Sequence, residues 1–215
     1  MNKNTIYITS VIHFREQPLS YSSVRSSFNP SSRIEQTLKT ISSLREKMPD
    51  STIILLEGWL PYDDLKELSR KVDTYIYAGS NKFIRKVVDS PYKWAWEIVM
   101  LLYWLWKTKH IRSRYITKIS WRYWINQHFT TEYFFKLGKF SFLQSAQSYS
   151  TRLYNLDIEK KIYRIMLLCI GFFISFCNIS IEQIFYYLIP KNRVDKKQYL
   201  WVSWFIWVNW DLIDE

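Results

Sequence analysis

The chain switches between two hydrophobic periods, and this alternation constrains its fold more than any other feature. "TIYITSVIH" alternates apolar and polar residues and is rich in β-branched side chains, which predicts a first strand from Thr5 to His13. "RIEQTLKTISSLREKM" then places Ile34, Leu38, Ile41 and Leu44 on one helical face, opened by a capping-box pattern at Ser32 and Glu35. "STIILLEG" holds a nearly continuous apolar run, Thr52 to Glu57, as expected of a strand covered on both faces. "PYDDLKELSRK" reads as a short helix and "VDTYIYAG" as a third strand ending at Gly79. This order predicts parallel βαβ units and a doubly wound, mainly parallel sheet of the α/β class. "SPYKWAWEIVMLLYWLWK" follows as a helix whose start Ser90-Pro91 signals. "RYITKIS" is a fourth strand, and its exit "WRYWINQHF" falls at the carboxyl edge of the sheet, where open α/β sheets bind ligands.

Beyond Thr130 the pattern loosens into a helical and extended C-terminal part. It predicts a hairpin around Gly138, a strand near "STRLYNL", and helices at "EKKIYRIMLLCIGFFISF" and "SIEQIFYYLIP", the second stopped by Pro190. The tail from Tyr199 reads as extended. No internal repeat or low-complexity linker divides the chain, so residues 1–215 are expected to form one domain. Ile165 to Ile181 is shorter than the roughly 20 apolar residues of a membrane span and reads as a buried helix, with a membrane-dipping helix as the alternative. The start lacks the long apolar core of a signal peptide. Cys169 and Cys177 read as buried small hydrophobes in a reducing compartment. A cytoplasmic protein is expected.

Charge narrows the partners. Thirty Lys and Arg against nineteen Asp and Glu give +11, which favours anions: nucleotides, phosphorylated lipids, nucleic acid or a membrane surface. Glycine is scarce, since average usage predicts about 7%, roughly 15 residues for this length. The chain has 4, and it has 11 Trp. The tryptophans recur in "SPYKWAWE", "LLYWLWK", "KISWRYW" and "VSWFIWVNW", each of which reads naturally with glycine instead. A Trp in a turn neither adopts positive φ cheaply nor lets another backbone approach, and glycine does both. Many of these positions are therefore expected to be glycine in the organism, from a UGA codon that its lineage reads as glycine. A chain that truly carries Trp there is expected to be strained, because overpacking a site costs about 1–3 kcal/mol. The alternative is an aromatic-rich protein with a girdle or stacking surface.

With glycine at 121, "KISWRYWIN" becomes K-I-S-G-R-Y, and the chain resembles a group of bacterial and viral glycosyltransferases linked to surface-polysaccharide or lipopolysaccharide synthesis. The resemblance extends in order to "RIEQTLKTISSLREKMPDSTIILLEG", to "NKFIRKVVDSPYKWAWE" and to "SIEQIFYYLIP". It implies a GT-A-like fold with a nucleotide-binding α/β part at 1–128 and an acceptor-side part at 129–215. It further implies a nucleotide-sugar donor, a glycan or lipid-linked acceptor, and no nucleic acid. Net basicity would hold such an enzyme at the inner face of an anionic membrane. The paired aspartates that bind a metal in many GT-A enzymes are missing, with Asn126-Gln127 where an acidic pair is expected and Asp63-Asp64 adjacent instead of spaced. A divalent cation (Mg or Mn) therefore lacks a clear acidic motif.

Transfer from such a donor leaves negative charge on the departing diphosphate, which needs cations or fixed donors. Lys118, Ser120 and Arg122 share one parity along the fourth strand and its exit, so they are expected to face one cleft, where Lys and Arg could replace a metal. Solvation of a strand end is the competing reading. Tyr123 completes the motif. Thr9 and Ser10 end the first strand, where a base or ribose lies in such sheets, and Arg33 and Gln36, one helical turn apart, face either the same ligand or solvent. Lys93 precedes what would be a G-A-G-E helix start, a seat for an anion. The candidates for the carboxylate base are Glu97, Asp89 and Glu182, the last also readable as a structural carboxylate at a helix start. His13, His110 and His128 have no metal-ligand spacing. Two rival functions remain: single-stranded nucleic-acid binding on aromatic surfaces, and membrane-associated assembly through Ile165 to Ile181.

Overall fold

The structure is a computed structural model that describes residues 4–15, 17–20, 22–23, 25–26, 28–59, 65–108, 113, 115–136, 138–157, 161–175, 177, 179–199, 201–205 and 212–214. Asp63, Asp64, His110, Trp207 and Trp210 lie outside these residues. In chain order the first elements are β1 (Thr5–Ser10), α1 (Pro30–Lys47), β2 (Thr52–Glu57), α2 (Leu65–Lys71), β3 (Thr74–Tyr77), α3 (Lys82–Val88), α4 (Lys93–Lys107) and β4 (Tyr115–Ser120). Then come β5 (Trp124–Ile125), α5 (Thr131–Phe134), β6 (Phe140–Ser145), β7 (Ser148–Tyr149) and β8 (Leu153–Asp157). The chain continues with α6 (Lys161–Ser175), α7 (Ile181–Leu188), β9 (Val194–Lys197), β10 (Val202–Phe205) and β11 (Leu212–Asp214).

The four strands read from the βαβ pattern lie in the order β3-β2-β1-β4, all parallel. The sheet then continues through β8, antiparallel to β4, and β6, which pairs with β7 and β9. It therefore crosses the 1–128 and 129–215 parts. A small second sheet joins β5, β10 and β11. The result is a GT-A-like α/β fold with helices on both faces.

Strand alternation divides the core in two. Ile6, Ile8, Ile53 and Leu55 pack with Ile41 and Leu44 of α1, Leu65 and Leu68 of α2, and Phe134 of α5. Tyr7, Ile54 and Leu56 point the other way, into a layer with Ile84 of α3, Ile98 of α4, Leu167 of α6 and Ile184 of α7. Burying each large apolar side chain contributes about 1.5–3 kcal/mol, so both faces favour this register strongly.

Several local expectations are corrected. β1 ends at Ser10 because the next backbone groups leave the ladder: the Ile12 N–H donates to the Glu57 carboxylate at 3.0 Å, and Arg33 donates to the Val11 carbonyl. The cap of α1 is Asn29, which accepts the Ser32 N–H at 2.8 Å ahead of Pro30, and not Ser32 with Glu35. A capping box does form at α7, between Ser180 and Gln183. The hairpin turns at Ala146-Gln147, while Gly138, at φ +72°, sits in the turn before β6. Helix α3 has no counterpart in the sequence pattern; it is short and is capped by Asn81, which accepts from Phe83 and Ile84 N–H. Cys169 on α6 and Cys177 beyond its end are exposed, since α6 turns only part of its surface inward and Cys177 follows it. Among the described residues no helix is long and apolar enough to cross a membrane.

Candidate functional site

Thr9 pairs with Ser120, so β1 and β4 end side by side, and their exits border a cavity of about 700 Å³. Five cations line it (Arg25, Arg33, Lys93, Arg122 and Arg152) together with two carboxylates, Glu97 and Glu182. Excess positive charge in a concave space suits an anion with several oxygens, such as a diphosphate.

The carboxylate wall is built on a buried lysine. Lys118 leaves β4 on the same face as Tyr7 and Tyr154 and is 1% exposed. Its ammonium donates to Glu97, to Ser120 Oγ at 2.7 Å and to the Thr151 carbonyl at 2.8 Å, which uses all three protons. The Thr151 hydroxyl in turn donates to Glu182 Oε1 at 2.6 Å. Lys118 thus holds both carboxylates in place from below, which corrects its reading as a donor contact. Glu182 occupies the first turn of α7, where the helix dipole favours a carboxylate. Beneath this wall the hydroxyls of Tyr7, Tyr149 and Tyr154 are buried with no hydrogen-bond partner among the described residues. Burial, and next the charge of Glu97, raise the pKa of Tyr7 and Tyr154.

The opposite wall is made of aromatic rings and one guanidinium. Arg33 is 6% exposed; it donates through Nε to the Phe28 carbonyl at 3.2 Å and through Nη1 to the Val11 carbonyl. Its guanidinium carbon lies 4.2 Å from the Phe14 ring centroid and 5.0 Å from that of Trp121. Burial pulls its pKa down to about 10, with Glu57 opposing and Arg122 and Arg25 reinforcing the drop. Gln36, one turn on, is buried away from the cavity.

Between the walls Arg122 and Arg152 converge on Tyr123, at 5.2 and 5.9 Å from its ring centroid, and Arg122 Nε donates to the Tyr123 hydroxyl at 3.1 Å. Lys93 is the first residue of α4, whose start has no side-chain cap. Burial lowers the pKa of Lys93, the Arg122 charge adds to this, and Glu97 and Glu182 oppose it. Lys93, Arg122 and an uncapped helix start together form an electropositive seat.

Of the residues singled out in the sequence, Thr9, Arg33, Lys93, Ser120, Arg122, Tyr123, Glu97 and Glu182 line the cavity, and Lys118 lies beneath it. Gln36, Ser10 and Asp89 lie off it. Ser10 is fully buried on the opposite face of the sheet from Thr9, as alternation requires. Asp89 closes the end of α3, 3.5 Å from Arg15, and its carboxyl is raised chiefly by burial, with Arg15 and Arg25 opposing. Arg25 donates to the carbonyls of Val88, Asp89 and Ser90. Arg25, Thr151 and Arg152 were not singled out; a strand pattern says nothing of where its flanking residues converge. The cavity does not fit a divalent cation well. Such ions take several oxygen ligands, and its two carboxylates are engaged by Lys118 and Thr151. Among the described residues no cluster of three His, Cys, Asp or Glu could hold a metal.

The indoles divide by environment. Trp94, Trp96 and Trp121 line the cavity, Trp59, Trp104 and Trp124 are buried, and Trp106 is exposed. Trp104 stacks on Tyr7 at 4.8 Å between centroids, while its indole N–H is buried without a hydrogen-bond partner among the described residues. Trp201 differs, with φ +52° in the left-handed region that favours glycine.

No family model and no curated protein matches this chain. Among solved structures, a glycosyltransferase involved in the glycosylation of the major capsid of PBCV-1 superposes with TM-score 0.51 at 8% identity, over 92% of this chain and 84% of that one. A mannose-1-phosphate geranyltransferase from Thermus thermophilus aligns over 92% of this chain and 72% of its own at 9% identity, and its TM-score of 0.34 is too low to carry weight. The first likeness agrees with the GT-A-like fold.

Proposed function

We propose that the chain is a glycosyltransferase that moves a sugar from a nucleotide-sugar donor to a glycan or lipid-linked acceptor, in surface-polysaccharide synthesis at the cytoplasmic face of a membrane. The observation that carries this reading is the cavity at the carboxyl edge, where five cations meet two braced carboxylates. Lys93, Arg122, Arg152 and the start of α4 bind the diphosphate and take up the charge that develops as it leaves. Glu182 is the base. It accepts the proton of an acceptor hydroxyl as that oxygen bonds the anomeric carbon, while the bond to the diphosphate breaks and its electron pair stays on the phosphate oxygen. Glu97 positions the site through Lys118. Thr9, Ser120 and Tyr123 supply hydroxyls to the donor. Glycine at 94, 96 and 121 in the organism would widen the cavity and free the helix start for the diphosphate, and glycine at 201 would relieve the left-handed backbone.

The test is a titration of the protein, as written and with glycine at 94, 96, 121 and 201, against a panel of nucleotide sugars by calorimetry. Saturable binding of one donor, weakened by Arg122→Ala, supports the reading. Binding of single-stranded DNA with steep salt dependence and of no donor overturns it.

A further inference from the structure

Glu57 ends β2 and is fully buried, a costly place for a carboxylate. Its Oε1 accepts two backbone N–H groups, from Ile12 at 3.0 Å and from Trp59 at 3.2 Å. One side-chain oxygen therefore ties the exit of β1 to the exit of β2. Burial raises the pKa of Glu57, opposed first by the Ser10 hydroxyl and then by the Ile12 and Trp59 N–H groups and the charge of Arg33. The converse also holds, because Glu57 is the favourable charge acting on Arg33, which burial, Arg122 and Arg25 all push toward neutrality.

Arg33 is what this arrangement serves. Its guanidinium joins the Val11 and Phe28 carbonyls and lies against Phe14 and Trp121, all four residues lining the cavity. Glu57 itself does not line it. It grips the N–H of Ile12 while Arg33 grips the carbonyl of Val11, so the first peptide bond after β1 is held from both sides.

We propose that Glu57 is a positioning residue for this wall of the cavity: by holding the Ile12 N–H it fixes the β1 exit whose Val11 carbonyl Arg33 grips, and so sets Arg33 beside Phe14 where a nucleoside diphosphate binds. This rests on the proposed donor-binding function. Substitution separates the hydrogen bond from the charge. Glu57→Gln keeps an acceptor oxygen for Ile12 and Trp59 but removes the charge, and Glu57→Asp keeps the charge but withdraws the acceptor by one methylene. Glu57→Gln also relieves the burial of a carboxylate, so its melting temperature at neutral pH is expected at or above that of the parent protein.

The experiment measures binding of UDP, GDP, ADP and dTDP in turn to the full chain by calorimetry, alongside the rate at which phenylglyoxal labels Arg33, read by peptide mass. Glu57→Asp is expected to weaken the diphosphate that binds by about tenfold and to label faster at Arg33, while Glu57→Gln, which keeps the acceptor, binds and labels like the parent protein and melts no lower. Unchanged affinity and unchanged labelling in Glu57→Asp, or losses in Glu57→Gln as large as those in Glu57→Asp, overturn the inference and leave the donor reading intact. If the parent protein binds none of the four, the donor reading fails, and the labelling rate alone decides whether Glu57 holds Arg33.

Discussion

The two walls of the cavity solve the same problem, holding charge at a sheet edge, by opposite means. On the carboxylate wall Lys118 directs its three protons to side chain and backbone from three segments, and the strength lies in a buried ion pair with Glu97. On the aromatic wall Arg33 engages two backbone carbonyls and two ring faces. A buried pair cannot lose one member without stranding the other, whereas carbonyls and rings tolerate the loss of a cation better. The carboxylate wall should therefore be brittle and the aromatic wall adjustable.

The largest effect expected from breaking this contrast is Lys118→Ala, which leaves Glu97 buried without its partner and should cost about 3–5 kcal/mol in urea unfolding. A loss as small as a surface substitution gives would show that the pair is not buried in solution. Glu182→Gln should leave folding unchanged while lowering transfer by about 10²–10⁴-fold, because only the proton acceptor is removed. Near-normal turnover would move the base elsewhere. Arg33→Ala on the opposite wall should cost less than Lys118→Ala, about 1–3 kcal/mol, and show itself mainly as a higher KM for the donor. Equal destabilisation by the two would erase the distinction between the walls. Trp201→Gly should be the mildest, neutral or stabilising by up to ~1 kcal/mol, since relief of a left-handed backbone offsets the lost ring contact with Tyr133 at 4.3 Å. By contrast Trp104→Gly should lower stability by about 3–5 kcal/mol, as loss of a core ring does. Intact mass of native material then tells which indoles the organism makes.

Acid should act on the aromatic wall with a defined sign. The raised pKa of Glu57 means that its burial disfavours the folded state above that pKa, so the penalty is relieved as pH falls through it toward the ordinary carboxylate value. The stability advantage of Glu57→Gln over the parent protein should shrink on acidification in unfolding curves. A difference independent of pH would place the charge of Glu57 in contact with solvent.

Local periodicity was enough for the parallel half of the sheet, because each of β1, β2, β3 and β4 announces itself by its own alternation or apolar run. Parity along β4 correctly put Lys118 and Ser120 on one face, but parity cannot say whether that face meets solvent or a helix. Here α4 covers Lys118 and leaves Ser120 at the rim. Ser10 failed as a cavity residue for the same reason, lying one residue and one face away from Thr9. Arg152, outside any motif, reaches the cavity only because β8 runs antiparallel to β4 and brings its start to the end of β4.

The order of strands and helices, the basic surplus and the conflict between scarce glycine and abundant Trp are properties of the residues alone, since they depend on spacing and count. Which cations face a ligand, which are consumed as braces, and which indoles fill core, wall or left-handed turn depended on packing. Those outcomes are set by what a side chain meets from segments distant in the chain, and no local period encodes that encounter.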